Sequence, residues 1–481
     1  MRRAALSLTL LSALGACTLG PDYKPPTPPT GAGGAFVSAR TSAVSTAALP
    51  AGWWKLYDDP RLNALVTEAF AANDDLKVAE DNLAAARAVF EGARALRLPQ
   101  TEVQGSAVYG RDATFETILE TEGHEPQDLW LFDTTLDLSY EIDLFGHVRR
   151  EVEAARDNAQ AVAAARDDLR VTIAAETARA YGTICALGEE LAVARQSLAV
   201  VSDQLRIMQG ELTAGAGTDF DVVRSQTLVA QVQAAIPPLE GQRNAALFEL
   251  TALLGKTPAE APVDVENCGA PPQLATPLPV GDGAALLQRR PDIREADRKL
   301  ATALAEIGVA KADLFPRVTL NGFYGGVSNR FGLLGSNSAL IWGVGPAISW
   351  SFPNLAGPLA KLAQSRASAR AALASYDATV LQALKETEQA MATYEAELAH
   401  HAALAAAAAD ANRALSMAQA QFAAGQISTL DLLTSEQTQV NAAAAVAGSD
   451  SALIQDQIGL FKALGGGWQP VLPPSGQASG S

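Results

Sequence analysis

After residue 16 this sequence holds no run of about 18 apolar residues, the length a helix needs to span a bilayer, so a membrane could be crossed only by strands. Histidine and cysteine are scarce, at four and three residues, and no spacing among the cysteines suits a metal. His124, His147, His400 and His401 are scattered or doubled on a helical face, which argues against a metal site. Positive charge is in deficit. The net charge of -17 and the pI near 4.8 set up a field that repels a phosphate backbone, which argues against nucleic acid as a partner. Catalytic signatures are missing as well. No Ser-His-Asp pattern, phosphate-cradling loop or dinucleotide fingerprint follows a strand and opens a helix, so no catalytic residue and no cofactor is expected, and the chain does not read as an enzyme.

What is present begins with a leader. Arg2 and Arg3, an apolar stretch from Leu6 to Leu14 and then Leu14-Gly15-Ala16-Cys17 read as a secretion signal over residues 1–16. A cysteine placed there resembles a bacterial lipobox, which would make Cys17 the lipidated, palmitate-bearing first residue of the mature chain. An ordinary signal with an incidental cysteine is the alternative. In such lipoprotein signals Thr18 in place of Asp after the cysteine points to the outer membrane. Cys185 and Cys268 remain, in a compartment where disulfides form, and they are expected to stay unpaired.

The chain also repeats itself, and a repeat decides a fold before residue-level patterns do. One shift matches Asp75 with Asp292, Leu76 with Ile293, Leu83 with Leu300, Pro99 with Pro316 and Gly105 with Gly322. A slightly smaller shift continues with Tyr140 on Trp350, Leu205 on Leu415, Gly215 on Gly425, Asp221 on Asp431 and Gly255 on Gly465. The chain divides accordingly into a signal peptide (1–16), an extended lipid-anchored segment (17–56), a first repeat (57–255), a Pro-rich linker (256–282), a second repeat (283–465) and a flexible tail (466–481). Residues 18–50, rich in Pro, Gly, Ala, Ser and Thr, are expected to be extended or loosely ordered.

Each repeat opens with short helices and a proline and then alternates with period two, the mark of half-buried strands. From 130 to 143 the even positions Trp130, Phe132, Leu136, Leu138, Tyr140 and Ile142 are oily, while the odd positions carry Asp133, Asp137 and Glu141. Residues 340–352 alternate large apolar side chains with Gly, Ala and Ser, and weaker strands precede each run at 102–110 and 318–325. Two hairpins and four strands result. A coiled-coil seam then starts, with Leu187, Leu191, Ala194, Leu198, Val201, Leu205, Met208 and Leu212 stepping by three and four. No proline interrupts 147–214 or 360–424, which predicts helices of about 65 residues and roughly 100 Å. Second helices are expected at 218–254 and 428–464, the first broken or kinked at Pro237-Pro238.

A hairpin with one oily face can lie in lipid only inside a closed barrel, because open strand edges leave backbone groups unsatisfied there. Single-chain barrels begin at about eight strands, so four must combine with those of other copies. The expected fold class is an α+β membrane protein: a transmembrane β-barrel with four strands per chain, continued by long α-helices. Trp130, Tyr140, Trp342 and Trp350 stand near strand ends, where aromatic girdles form, and the face with Asp133, Asp137 and Glu141 would line the lumen.

Gly20-Pro21-Asp22-Tyr23, Gly52-Trp53-Trp54, Arg289-Arg290-Pro291-Asp292-Ile293, Gly425, Leu430-Asp431-Leu432-Leu433 and Gly465-Gly466-Gly467-Trp468 resemble, in order and over nearly the whole mature chain, the TolC-like outer-membrane efflux lipoproteins of the NodT type. The resemblance implies a homotrimer with a barrel of twelve strands and a long periplasmic helical barrel carrying an equatorial belt. It also implies docking to a periplasmic adaptor and to an inner-membrane transporter of the RND type. The function so implied is an exit duct for small molecules, anchored in outer-membrane lipid and tied to antibiotic resistance. The alternatives are the exit duct of a protein secretion system and a lipoprotein scaffold without a channel.

Two helix-to-helix turns complete the reading. Gly215 and Gly425 fit helix C′ positions with positive φ, and Thr218 and Ser428 fit the next N-caps. Asp221 and Asp431 fall three residues later, where each could close a capping box. The resemblance adds a second role: the turns would form the closed periplasmic end and the adaptor-docking surface, with Leu430 as a hydrophobic ring and Asp431 and Asp221 as carboxylates at the gate. Both roles can hold together. Ile427 stands where some family members have an arginine, and Thr434 where a second gate carboxylate often occurs, so the family's locking network is incomplete here.

Overall fold

The computed structural model describes residues 18–39, 43–111, 128–274 and 276–469; Cys17 and His124 lie outside them. In chain order the elements are β1 (Val44–Ser45), α1 (Pro60–Ala72), α2 (Asp74–Ala95), β2 (Gln100–Gly110), β3 (Leu129–Ile142), α3 (His147–Thr213), α4 (Asp219–Leu253), β4 (Leu278–Pro279), α5 (Gly283–Arg289), α6 (Pro291–Ala312), β5 (Arg317–Ser328), β6 (Leu340–Ser349), α7 (Ala356–Ala423) and α8 (Thr429–Ala463). The long helices run 67 and 68 residues, close to the predicted length. Two compact units emerge.

One unit comprises Met1–Pro26, Asn82–Val162 and Glu295–Tyr376. It holds an antiparallel four-stranded sheet in the order β2-β3-β5-β6. The predicted alternation is realised as cross-strand rows: Val103 faces Leu136, Leu136 faces Tyr324, and Tyr324 faces Trp342, all on one side. Glu102, Asp137, Phe323 and Gly343 form the neighbouring row on the other side. The contact of the two hairpins through β3 and β5 is an addition to the sequence reading. Residues 18–23 form neither helix nor strand, but they are held. The Leu19 amide donates to the Phe145 carbonyl at 3.1 Å, and the Arg150 guanidinium donates to the Leu19 carbonyl at 3.1 Å and to Asp22 and Glu153 at 2.7 Å each. Gly20, at φ +103, lies so close to Gly308 that a Cβ would meet its Cα at 2.6 Å.

The other unit comprises Thr27–Asp81, Ala163–Arg294 and Asp377–Ser481. Its core is aromatic: Trp53, fully buried, stacks on Phe461 at 4.5 Å and meets Trp54 edge-on at 5.9 Å. Three of the short sequence marks converge here. Gly467, at φ +107, leaves room for the Trp53 and Trp54 rings; the Trp468 indole donates to the Arg289 carbonyl at 2.9 Å; and Arg294 lies over the Trp468 ring at 4.6 Å. β1 and β4 pair in parallel and tie the N-terminal segment to the linker. Asp59 caps α1 by accepting from the Arg61 and Leu62 amides, with Pro60 at the first helical position, where its missing N–H has no partner to lose.

One expectation is corrected in this unit and another is narrowed. Cys185 and Cys268 form a disulfide, their Cα atoms 4.8 Å apart and 83 residues apart in sequence. The linker reaches α3 because Gly188, about one turn beyond Cys185, has no side chain; a Cβ there would run into the Cys268 carbonyl. Of the break or kink expected at Pro237-Pro238, the break does not occur: both prolines lie inside a continuous α4. Both prolines are exposed, so the carbonyls they leave without a helical donor are on the open side, where water can serve them.

Candidate functional site

The two turns follow the expected chemistry. α3 ends in a Schellman motif: the Gly215 amide donates to the Leu212 carbonyl at 3.0 Å and the Ala216 amide to the Glu211 carbonyl at 2.9 Å. α7 ends identically, with Gly425 to Phe422 and Gln426 to Gln421, both at 2.9 Å. Gly215 and Gly425 have φ of 76° and 70°, which a side chain would resist. Thr218 and Ser428 then cap the next helices. The Ser428 hydroxyl accepts from the Asp431 amide at 3.3 Å and donates to its carboxylate at 2.6 Å, while the Ser428 amide donates to the same carboxylate at 3.1 Å, a full capping box. Thr218 and Asp221 make the two hydroxyl contacts, at 3.2 and 2.6 Å, without the reciprocal amide bond.

These bonds hold the Asp431 carboxyl below its ordinary range, through the Ser428 hydroxyl first and its amide second. The hydrogen bonds of both carboxylates stay within their own turns. Leu430 is 47% exposed, beside its carboxylate neighbour, with Phe220 more exposed still at 68%. Ile427 packs into an apolar cluster with Leu415, Ala418 and Leu432. The Thr434 hydroxyl donates to the Leu430 carbonyl at 2.7 Å and so serves its own helix.

In the sheet unit the polar face is hollowed to about 800 Å³, bordered by Glu102, Asp137, Ser139 and Asn321. Asp133 accepts from Ser106, Asp137 from Thr135 at 2.8 Å, and Glu141 lies 3.5 Å from His147. Among the described residues no group of three or more His, Cys, Asp or Glu could hold a metal ion, and no helix is long and apolar enough to cross a membrane. One buried group escaped the sequence reading. Glu436 on α8 is 1% exposed and both its carboxylate oxygens lack a hydrogen-bond partner; its only signal was a lone acid at a core position of the helix.

Comparison with known proteins agrees with this architecture. The family model described as outer membrane efflux protein matches residues 65–256 and 284–466. The probable efflux pump outer membrane protein TtgC of Pseudomonas putida is 29% identical, over 97% of this chain and 96% of its own length. The outer membrane protein OprJ of Pseudomonas aeruginosa is 30% identical, with 97% of each chain covered. Among solved structures, the outer-membrane channel OprN superposes with a TM-score of 0.87 at 34% identity, covering 94% of this chain and all of that one.

Proposed function

The chain belongs to the outer membrane efflux protein family, and from that premise we propose how it is built into the exit duct of a tripartite efflux system. Three copies would each give β2, β3, β5 and β6 to one barrel in the outer membrane, and α3, α4, α7 and α8 to a helical barrel in the periplasm. The sheet carries this reading. Its outer strands β2 and β6 are edges without partners among the described residues, yet Val103 on β2 and Trp342, Val344 and Ile348 on β6 are 69 to 75% exposed. An apolar sheet with open edges is a liability in water and unsatisfied in lipid, and closure by identical neighbours removes both faults.

Within that assembly Asp133, Asp137 and Glu141 would face the lumen. Leu430, Asp431 and Asp221 would narrow the periplasmic end, and the turns with Gly215, Thr218, Gly425 and Ser428 would meet the adaptor. Cys17 would carry the lipid anchor, small molecules would be the cargo, and an RND-type pump the inner-membrane partner. Paired helix lengths support the division into repeats at 57–255 and 283–465: 22 residues for both α2 and α6, and 35 for both α4 and α8. Native mass spectrometry of the purified protein should give a trimer, and planar bilayers should show trimers conducting. A persistent monomer, or a trimer that never conducts, would overturn the duct.

A further inference from the structure

Glu436 has no part in the duct as drawn. It sits between Leu433 and Val440 on α8, and those two pack with Val201 of α3 and with Leu228 and Val232 of α4. Its carboxyl is therefore in an apolar seam of three helices. The arginines on the neighbouring stretches of the surrounding helices, and the other acid at the start of α8, are engaged elsewhere. Arg195 of α3 binds Glu240 of α4 at 2.8 Å, Arg206 binds Asp203 at 3.1 Å, and Arg224 of α4 lies over Phe220. Arg413 of α7 is bound to Asp410, and Asp431 on α8 itself to Ser428. A carboxylate buried without a partner is among the most costly groups a core can hold, and it escapes that cost by taking a proton. Burial alone pushes the Glu436 carboxyl up to about 7.

We propose that Glu436 is a proton-binding site that couples the packing of α8 against α3 and α4 to the pH of the surrounding compartment. The proposal rests on the duct reading in one respect: the seam lies less than two helical turns from Leu430 and Asp431, so what loosens it acts on the end of the duct. Protonated, the side chain is neutral and the seam holds it. Ionised, it has to draw in water or leave. Gln204, about one turn along α3 from Val201, likewise leaves its Nε2 buried without an acceptor. The Glu436 oxygens have essentially no accessible surface even in the single chain, so a neighbouring copy cannot supply a counter-charge in this packing. The folded chain keeps the proton from the ordinary carboxylate range up to about 7, where an unfolded chain has lost it. The seam is thus tightest below that window and loosens as pH rises through about 7.

The test uses the full-length protein in lipid nanodiscs, as wild type and as Glu436→Gln, which keeps the shape and cannot ionise. On a pH step across about 7, difference infrared spectra should show the wild type losing a carboxylic-acid carbonyl band that E436Q lacks. Hydrogen exchange of amides 429–440, corrected for its intrinsic pH dependence, should rise severalfold in the wild type and stay flat in E436Q. Equal spectra, or equal exchange profiles, would overturn the proposal. If E436Q does not fold, Glu436→Leu replaces it in both comparisons, filling the seam with apolar bulk. Neither readout depends on conduction. Trimers that show the band and never conduct would sink the duct and spare the proton site, whereas conducting trimers without the band would do the reverse.

Discussion

Arg290 is where the ends of several segments meet. Its guanidinium donates to the Ala463 carbonyl at 2.7 Å at the end of α8, to Asp292 at 2.7 Å and to Glu386 on α7 at 2.9 Å, with 10% of its side chain exposed. Gly465, at φ +69, lies against the same side chain, where a Cβ would meet Cγ at 2.7 Å. Substituting Arg290→Met removes the cationic partner of two carboxylates and the nearer of two donors to a helix-end carbonyl, which Thr387 also serves, and should cost about 2 to 4 kcal/mol, below the full figure for a deeply buried pair because both acids are partly exposed and keep other donors. Urea midpoints at constant slope measure it. Arg290→Lys should recover only part, since a single ammonium cannot reproduce the planar fork. The run Arg289-Arg290-Pro291-Asp292 was visible in the sequence as a family mark, but its physical reason was not. The carbonyl it serves is 173 residues away.

At the scale of elements, what is local was legible and what is distant was not. β3 could be placed because its alternation is contained in fourteen consecutive residues, and the turns because a Gly, a hydroxyl and an Asp within a short span settle both caps. The pairing of β3 with β5 and the Cys185–Cys268 bridge both join remote segments, and nothing near either partner announces the other. The bridge closes a long loop, so Cys268→Ser should cost up to about 4.5 kcal/mol in the chain-entropy account. It should also make the linker at 256–274 a faster protease target; reductant should do the same to the wild type and nothing more to the variant. The sheet gives a second test. Leu136→Arg, in the oily row with Val103 and Tyr324, should cost about 2 to 4 kcal/mol if that face meets the middle of the bilayer. Ser139→Arg, on the opposite face, should leave folding intact and shift ion selectivity. Equal damage at both positions, measured by refolding into lipid vesicles, would reject the assigned faces.

For the whole assembly the residue to test is Asp431, the proposed gate, because two influences on its charge would oppose each other there. Within one chain the Ser428 cap favours the carboxylate and holds its pKa down, so that contribution is present above the ordinary carboxylate range and is lost on acidification. Three such carboxylates around an axis would repel, which disfavours the charge and invites a cation. A trimer gated there should conduct poorly at rest, prefer cations and be blocked by trivalent ones from the periplasmic side. Asp431→Asn removes the charge and keeps an oxygen for the Ser428 amide, whereas Asp431→Ala removes both. Loss of block in both variants, with faster exchange of the first α8 amides only in the alanine variant, is the result expected if Asp431 both caps and gates. Single-channel recordings with a trivalent cation in the periplasmic-side chamber decide between the roles. Block that persists unchanged in the asparagine variant would leave Asp431 its capping box alone, and the narrowing would then fall to the exposed Leu430 beside it.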